Sequence, residues 1–180
     1  PPGRPPHTFE YTTGDLESVY VAPDLGDGLN ITTTAYDLDR TTDLVTLPGG
    51  ATIDPAYDAS GRLATVNIVR GQYSYEYYLT SGLLRRVTAP DGGTLSYAYS
   101  GPLLLGESWA GSTSGSVNQT YDNAFRITSQ LINGADSVSF GYDADGLLTQ
   151  AGDMALTRDA QNGLLSGTAL GAITDAYDYN

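Results

Sequence analysis

Cysteine and lysine are both absent from the 180 residues, and histidine, tryptophan and methionine occur once each. Without cysteine there are no disulfides, no thiolate nucleophile and no thiolate zinc site. Without lysine there is no side-chain amine for Schiff-base chemistry. The single histidine, His7, lies in a proline-rich stretch, so a Ser-His-Asp triad or a multi-histidine metal site lacks its parts. No apolar run reaches the ~18 residues of a membrane-spanning helix. Eight arginines stand against 21 acidic residues, giving a net charge of -13. That charge disfavours phosphate backbones and anionic lipid surfaces, so nucleic-acid binding and membrane insertion are not expected.

What is abundant points to short strands and turns: 14 tyrosines, 22 glycines and 9 prolines. Tyrosine favours pleated surfaces, and glycine and proline punctuate them. Of the acidic residues 17 are aspartate and only 4 glutamate, which puts the charge in turns rather than helices.

The chain repeats. Tyr36, Tyr57, Tyr78, Tyr99, Tyr121 and Tyr142 follow one another at intervals of 21, 21, 21, 22 and 21 residues. The register continues through Arg158, which stands in place of tyrosine, to Tyr179. Four residues after the anchors from Tyr57 to Arg158 come Gly61, Gly82, Leu103, Phe125, Gly146 and Asn162; six after come Leu63, Leu84, Leu105, Ile127, Leu148 and Leu164. The second series is apolar throughout. A further turn signal follows in most copies, at Pro48-Gly49-Gly50, Arg70-Gly71, Pro90-Asp91-Gly92 and Asn133-Gly134. Two turns in about 21 residues leave room for two strands of ordinary length. In one copy Val138, Phe140 and Tyr142 alternate with Ser137, Ser139 and Gly141, and Asp143-Ala144-Asp145-Gly146 turns the chain into Leu148. This is a half-buried strand and a hairpin.

The expected fold is therefore all-β: tandem antiparallel hairpins in a continuous, curved or spiralling sheet, each repeat touching its neighbours. Residues 1–30 depart from the period and read as a divergent lead-in or capping repeat, with Phe9, Tyr11 and Leu16 as its traces. Residues 31–180 are the array. Tyr177-Asp178-Tyr179-Asn180 stops before a repeat is completed, so the parent chain is expected to continue and the last strand to leave an open edge, through which homo-oligomers could form.

The segments Tyr57-Asp58-Ala59-Ser60-Gly61-Arg62-Leu63 and Tyr142-Asp143-Ala144-Asp145-Gly146-Leu147-Leu148, and more weakly Tyr121-Asp122-Asn123-Ala124-Phe125-Arg126-Ile127 and Tyr36-Asp37, resemble the YD repeats of Rhs proteins, of the B and C subunits of bacterial Tc toxins, and of teneurins. The resemblance covers residues 32 to 180. It implies a sheet that spirals into a hollow shell, enclosing a cargo polypeptide in the toxins and forming an extracellular scaffold in teneurins. It implies no enzyme and no cofactor, a secreted or cell-surface location, and as partners other parts of the parent chain or an enclosed polypeptide. The copies at Tyr78 and Tyr99 lack the aspartate.

Other readings compete. The Asp143-Ala144-Asp145-Gly146 turn has oxygen ligands suited to calcium, but no glutamate closes the loop and sister turns lack the carboxylates. Paired aspartates suit glycoside hydrolysis, yet their placement follows the turns. Asn30-Ile31-Thr32 and Asn118-Gln119-Thr120 match the glycosylation sequon. Trp109, which shares strand parity with Leu105, reads as core or rim packing rather than a ligand platform. The functional alternative to a scaffold is an aromatic-repeat module that binds cell-wall or carbohydrate ligands, like choline-binding repeats, although one tryptophan is few for aromatic cages.

Overall fold

The computed structural model describes residues 6–179. Residues 1–5 of the lead-in, and Asn180 with the open edge argued from it, lie outside the described residues. There is no helix among those described, and every strand pairing is antiparallel, as the repeat pattern leads one to expect.

The chain divides into two compact units, with the boundary in sequence between Thr94 and Leu95. The first holds β1 (Thr8–Tyr11), β2 (Glu17–Val21), β3 (Ile31–Tyr36), β4 (Thr42–Thr46), β5 (Thr52–Tyr57), β6 (Leu63–Ile68), β7 (Gly71–Tyr77) and β8 (Leu84–Thr88). Each strand pairs with the next along the chain. The second opens with β9 (Thr94–Ser100) and continues through β10 (Leu103–Ala110), β11 (Gly115–Tyr121), β12 (Ile127–Ile132), β13 (Asp136–Tyr142), β14 (Leu148–Ala151), β15 (Met154–Arg158), β16 (Leu165–Leu170) and β17 (Ile173–Ala176). It too is a meander.

One turn recurs. In Asp58-Ala59-Ser60-Gly61-Arg62 the Asp58 N–H donates to the Arg62 carbonyl at 2.8 Å and the Gly61 N–H to the Asp58 carbonyl at 2.9 Å. Gly61 takes φ +74°. This is a type I turn closed by a residue in the left-handed region, a common longer hairpin connection. The same pair of bonds closes the turns at Asp37, Asp122 and Asp143 and, on the opposite edge, at Leu47 and Ala89. Two turns are one residue longer, Tyr78 to Leu83 and Asp159 to Leu164.

Strand alternation gives each unit two unlike faces. Between β5 and β8, the pairs Ile53↔Ile68, Val66↔Tyr73, Tyr75↔Val87 and Tyr77↔Leu84 share one face, and Asp54↔Asn67, Thr65↔Ser74 and Glu76↔Arg86 share the other. Between β11 and β14, Val117↔Ile132, Phe140↔Ala151 and Tyr142↔Leu148 lie opposite a face of Asn118, Thr120, Ser129, Ser137 and Ser139. No apolar side chain among the described residues is fully buried, so neither unit has a dry core. Most large apolar side chains of the strands are half-covered, whereas Leu25, Leu38, Val69 and Leu79, in the loops and turns, are exposed.

Candidate functional site: the repeat anchors and their turns

The strand register slips at the anchors. At Tyr11, Tyr36, Tyr57, Tyr77, Tyr121, Tyr142 and Arg158 the pairing skips a residue, so that Tyr57 faces Leu63 and Tyr142 faces Leu148. Such a bulge re-aims a side chain. Here the anchor phenol reaches the preceding hairpin. Tyr57 Oη donates to the Thr42 carbonyl at 3.1 Å, Tyr77 to Leu63 at 2.8 Å, Tyr121 to Leu104 at 2.7 Å, Tyr142 to Ile127 at 2.9 Å and Tyr179 to Leu165 at 2.8 Å. Tyr36 does the same to Glu17 at 2.8 Å. The acceptor is the residue that begins the return strand of the previous hairpin, or its neighbour. Each of these repeats is therefore stapled to the one before it through backbone, whatever side chain the acceptor carries.

The hairpin over residues 8–21 uses the same parts. Tyr11 faces Glu17 across a bulge, Asp15 takes φ +60°, and the Thr12 hydroxyl accepts the N–H groups of Gly14 and Leu16. His7 and Tyr20 share a hydrogen bond of 2.7 Å with their rings stacked at 5.9 Å, a contact that composition alone could not reveal.

At several positions the structure shifts the register read from spacing. Tyr77, not Tyr78, ends β7 and carries the phenol-to-carbonyl bond, while Tyr78 opens the turn. Leu84 faces it from seven residues on because that turn is one residue longer. Beyond Arg158, whose turn is also long, the left-handed position falls on Gly163 (φ +72°) rather than Asn162, and Leu165 rather than Leu164 faces the anchor. In β10 it is Leu104, not Leu105, whose carbonyl receives the next phenol. Tyr99 is the penultimate residue of β9, with its ring 6.4 Å from that of Tyr97. Gly61, Gly82 and Gly146 hold φ of 74°, 71° and 81°, and Leu63, Ile127 and Leu148 each face their anchor. Trp109 faces Gly115, where an added Cβ would come 2.3 Å from the indole; the ring lies over the glycine.

The aspartate after the anchor organises the turn. Asp58 Oδ1 accepts the N–H groups of Ser60 and Arg62, and Oδ2 takes the Arg62 guanidinium at 2.7 Å. Asp122 and Arg126 repeat this, at 2.8 Å. The Arg62 side-chain hydrogen bond, with its backbone N–H, holds the Asp58 carboxyl below its ordinary range. For Asp122 the Arg126 backbone N–H is the larger cause. In Asp37 the Thr41 hydroxyl does the same work.

The two arginines also reach forward. Arg62 lies 4.3 Å over the ring of Tyr77, and Arg126 lies 4.6 Å over that of Tyr142. Two copies of Gly-Arg-Leu or its analogue, at Gly61-Arg62-Leu63 and Phe125-Arg126-Ile127, carried that signal in the sequence. Where the anchor is Arg158, its Nε donates to the Leu148 carbonyl at 3.1 Å, so a guanidinium replaces the phenol in the same bond. Asp143 Oδ1 is occupied by the N–H groups of Asp145 and Leu147, and no three acidic or histidine side chains among the described residues converge as metal ligands. Asn118 and Thr120 are both exposed in β11, while Asn30 is half-buried with its amide donating to Ala22.

Fold and anchors together define a class: an all-β array of hairpins stapled through tyrosine and braced by an aspartate turn. The profile of the Teneurin YD-shell family matches residues 2–180, and the chain belongs to that family. No curated protein matches in sequence. Among solved structures, a chain of the Tc holotoxin pore of Photorhabdus luminescens superimposes with a TM-score of 0.64 at 15% identity, over 77% of this chain and 9% of that one. The TcdB2–TccC3–Cdc42 complex matches over 98% of this chain and 13% of the other, at 12% identity, but its TM-score of 0.40 carries no argument. This chain thus spans about a tenth of the length of the toxin chains it matches.

Proposed function

We propose that this chain is a stretch of wall in a hollow β-sheet shell, a scaffold that encloses or displays another polypeptide, in a secreted or cell-surface protein, and that it carries out no chemistry of its own. The observation that supports this most is the stapling of each repeat to its predecessor in units without a dry core. Such a wall is lengthened by adding hairpins, and its product is surface rather than a pocket. The family match and the toxin structure point the same way. The partner follows as the polypeptide that the wall surrounds. The surface-binding alternative loses support at the anchors, because the phenols are spent on carbonyls within the array rather than grouped as open cages.

The test is photo-cross-linking in the intact protein that carries this segment. A photoreactive residue at Phe140 probes the apolar face and one at Ser139 the polar face. Cross-links to a second polypeptide segment from one face only are expected. Absence of such cross-links from both faces would reject the shell reading.

A further inference from the structure

One loop breaks the spacing of the first unit. Along the edge that carries the turns at Leu47 and Ala89, β2 and β3 are joined by nine residues, 22–30, where the neighbouring connections use five, 47–51 and 89–93, or two, 69–70. The extra length is not slack. The Gly26 and Gly28 N–H groups donate to Asp24 Oδ1 at 2.8 and 3.1 Å, and the Leu29 N–H donates to Asp27 Oδ1 at 3.0 Å. Across the base of the loop the Ala22 N–H donates to the Asn30 carbonyl and the Asn30 side-chain amide to the Ala22 carbonyl, both at 2.8 Å. Backbone held in this way keeps Leu25 93% and Leu29 56% exposed. Apolar side chains grouped in water on a fixed backbone mark a contact surface. Leu29 reaches to 4.0 Å from where a Cβ on Gly49 would stand, and Ile31, 49% exposed, follows it on the side of the sheet that carries Thr33, Thr46 and Thr52. A cleft of about 220 Å³ lies here, lined chiefly by Leu29, Ile31, Thr33, Leu47 and Pro48.

Size and charge select the occupant. The cleft is smaller than the ~300–1,000 Å³ of sites that enclose a small molecule, and it suits one apolar side chain of a polypeptide laid over the edge. Asp24 and Asp27 flank it in the same loop, and neither forms an ion pair among the described residues. The Gly26 N–H, and after it the Gly28 N–H, hold the Asp24 carboxyl below its ordinary range, so it is charged at neutral pH. A second copy of this chain would bring a further net charge of -13 against these carboxylates, and no lysine. A cationic segment is drawn to them instead. We infer that the cleft between the β2–β3 loop and the β4–β5 turn docks a basic polypeptide segment, seating an aliphatic side chain on Leu29, Ile31 and Leu47 with a neighbouring lysine or arginine against Asp24 and Asp27. This partner meets the turn edge of the wall and is additional to the polypeptide that its faces enclose or display.

Fluorescence anisotropy on the intact protein tests this with three labelled peptides: one alternating lysine and leucine, one with each lysine replaced by glutamate, and one with each leucine replaced by glycine. The first alone is expected to bind, and more weakly as salt is raised. Leu29→Ser, at an exposed position, should weaken that binding about tenfold or more. Asp24→Asn, whose amide oxygen can still accept both loop N–H groups, should weaken it about two- to fivefold. Equal binding of the glutamate or the glycine peptide, or unchanged affinity in Leu29→Ser, overturns the assignment. So does failure of the first peptide to bind. Sedimentation that shows self-association abolished by Leu29→Ser, with no peptide bound, would give the cleft to a second copy and overturn it as well.

Discussion

A single phenol oxygen decides how one repeat meets the next, so its removal should be measurable. Tyr142→Phe keeps the ring and the Arg126 stack but leaves the Ile127 carbonyl without its donor. A loss of about 1 kcal/mol in urea unfolding is expected, the usual net worth of such a bond. Phe125 gives the opposite case. It sits at φ +62°, where sister turns place glycine, and its side chain is 70% exposed. Phe125→Gly should raise the urea midpoint by an equivalent of about 0.5–1 kcal/mol, since relief of left-handed strain outweighs the entropy of the added glycine. The aspartates set the acid limb. Asp58 and Asp122 have folded pKa values below the unfolded value of ~3.9, so the stability they contribute is complete above that value and is lost as pH falls through the folded pKa. Melting temperature should therefore decline below about pH 4, and Asp58→Asn should flatten that decline while lowering stability at neutral pH.

Within one hairpin pair, close backbone approach takes over from side-chain bonding. Gly167, in β16, is one of the few buried residues, and a Cβ there would stand 2.9 Å from the Asp175 carbonyl of β17. Gly167→Ala should loosen the β16–β17 ladder by about 1–3 kcal/mol, read as faster amide exchange at Thr168 and Tyr177, with β11 to β13 unchanged. The elements themselves were legible in the sequence because their periodicity is strict: alternation marks the strands, and Asp and Gly mark the turns. Registers were legible only where turns have equal length. The extra residue between Tyr77 and Leu84 lengthens the anchor spacing after it, and with two adjacent tyrosines available a fixed period selects Tyr78. An extra residue in the turn after Arg158 likewise displaces Leu164 by one. The arginine brace was legible only as a recurrent arginine, at Arg62 and Arg126: Arg62 touches Tyr77 across repeats, and spacing from one anchor does not show which ring the next repeat will present.

For the molecule as a whole, the account is of two units built from nearest-neighbour staples, without a core to enforce global cooperativity. Apolar rows on one face and hydroxyls on the other suit a wall that separates two environments. The net charge of -13 is carried largely in the turns at the strand ends rather than across the faces. The central claim is that these residues are wall, and electron cryomicroscopy of the intact protein tests it most directly. The expected map shows residues 6–179 continuing a single sheet around a cavity that holds density for another polypeptide. A map in which they fold back into a closed globule with a dry core, or leave both faces in bulk solvent, would contradict it.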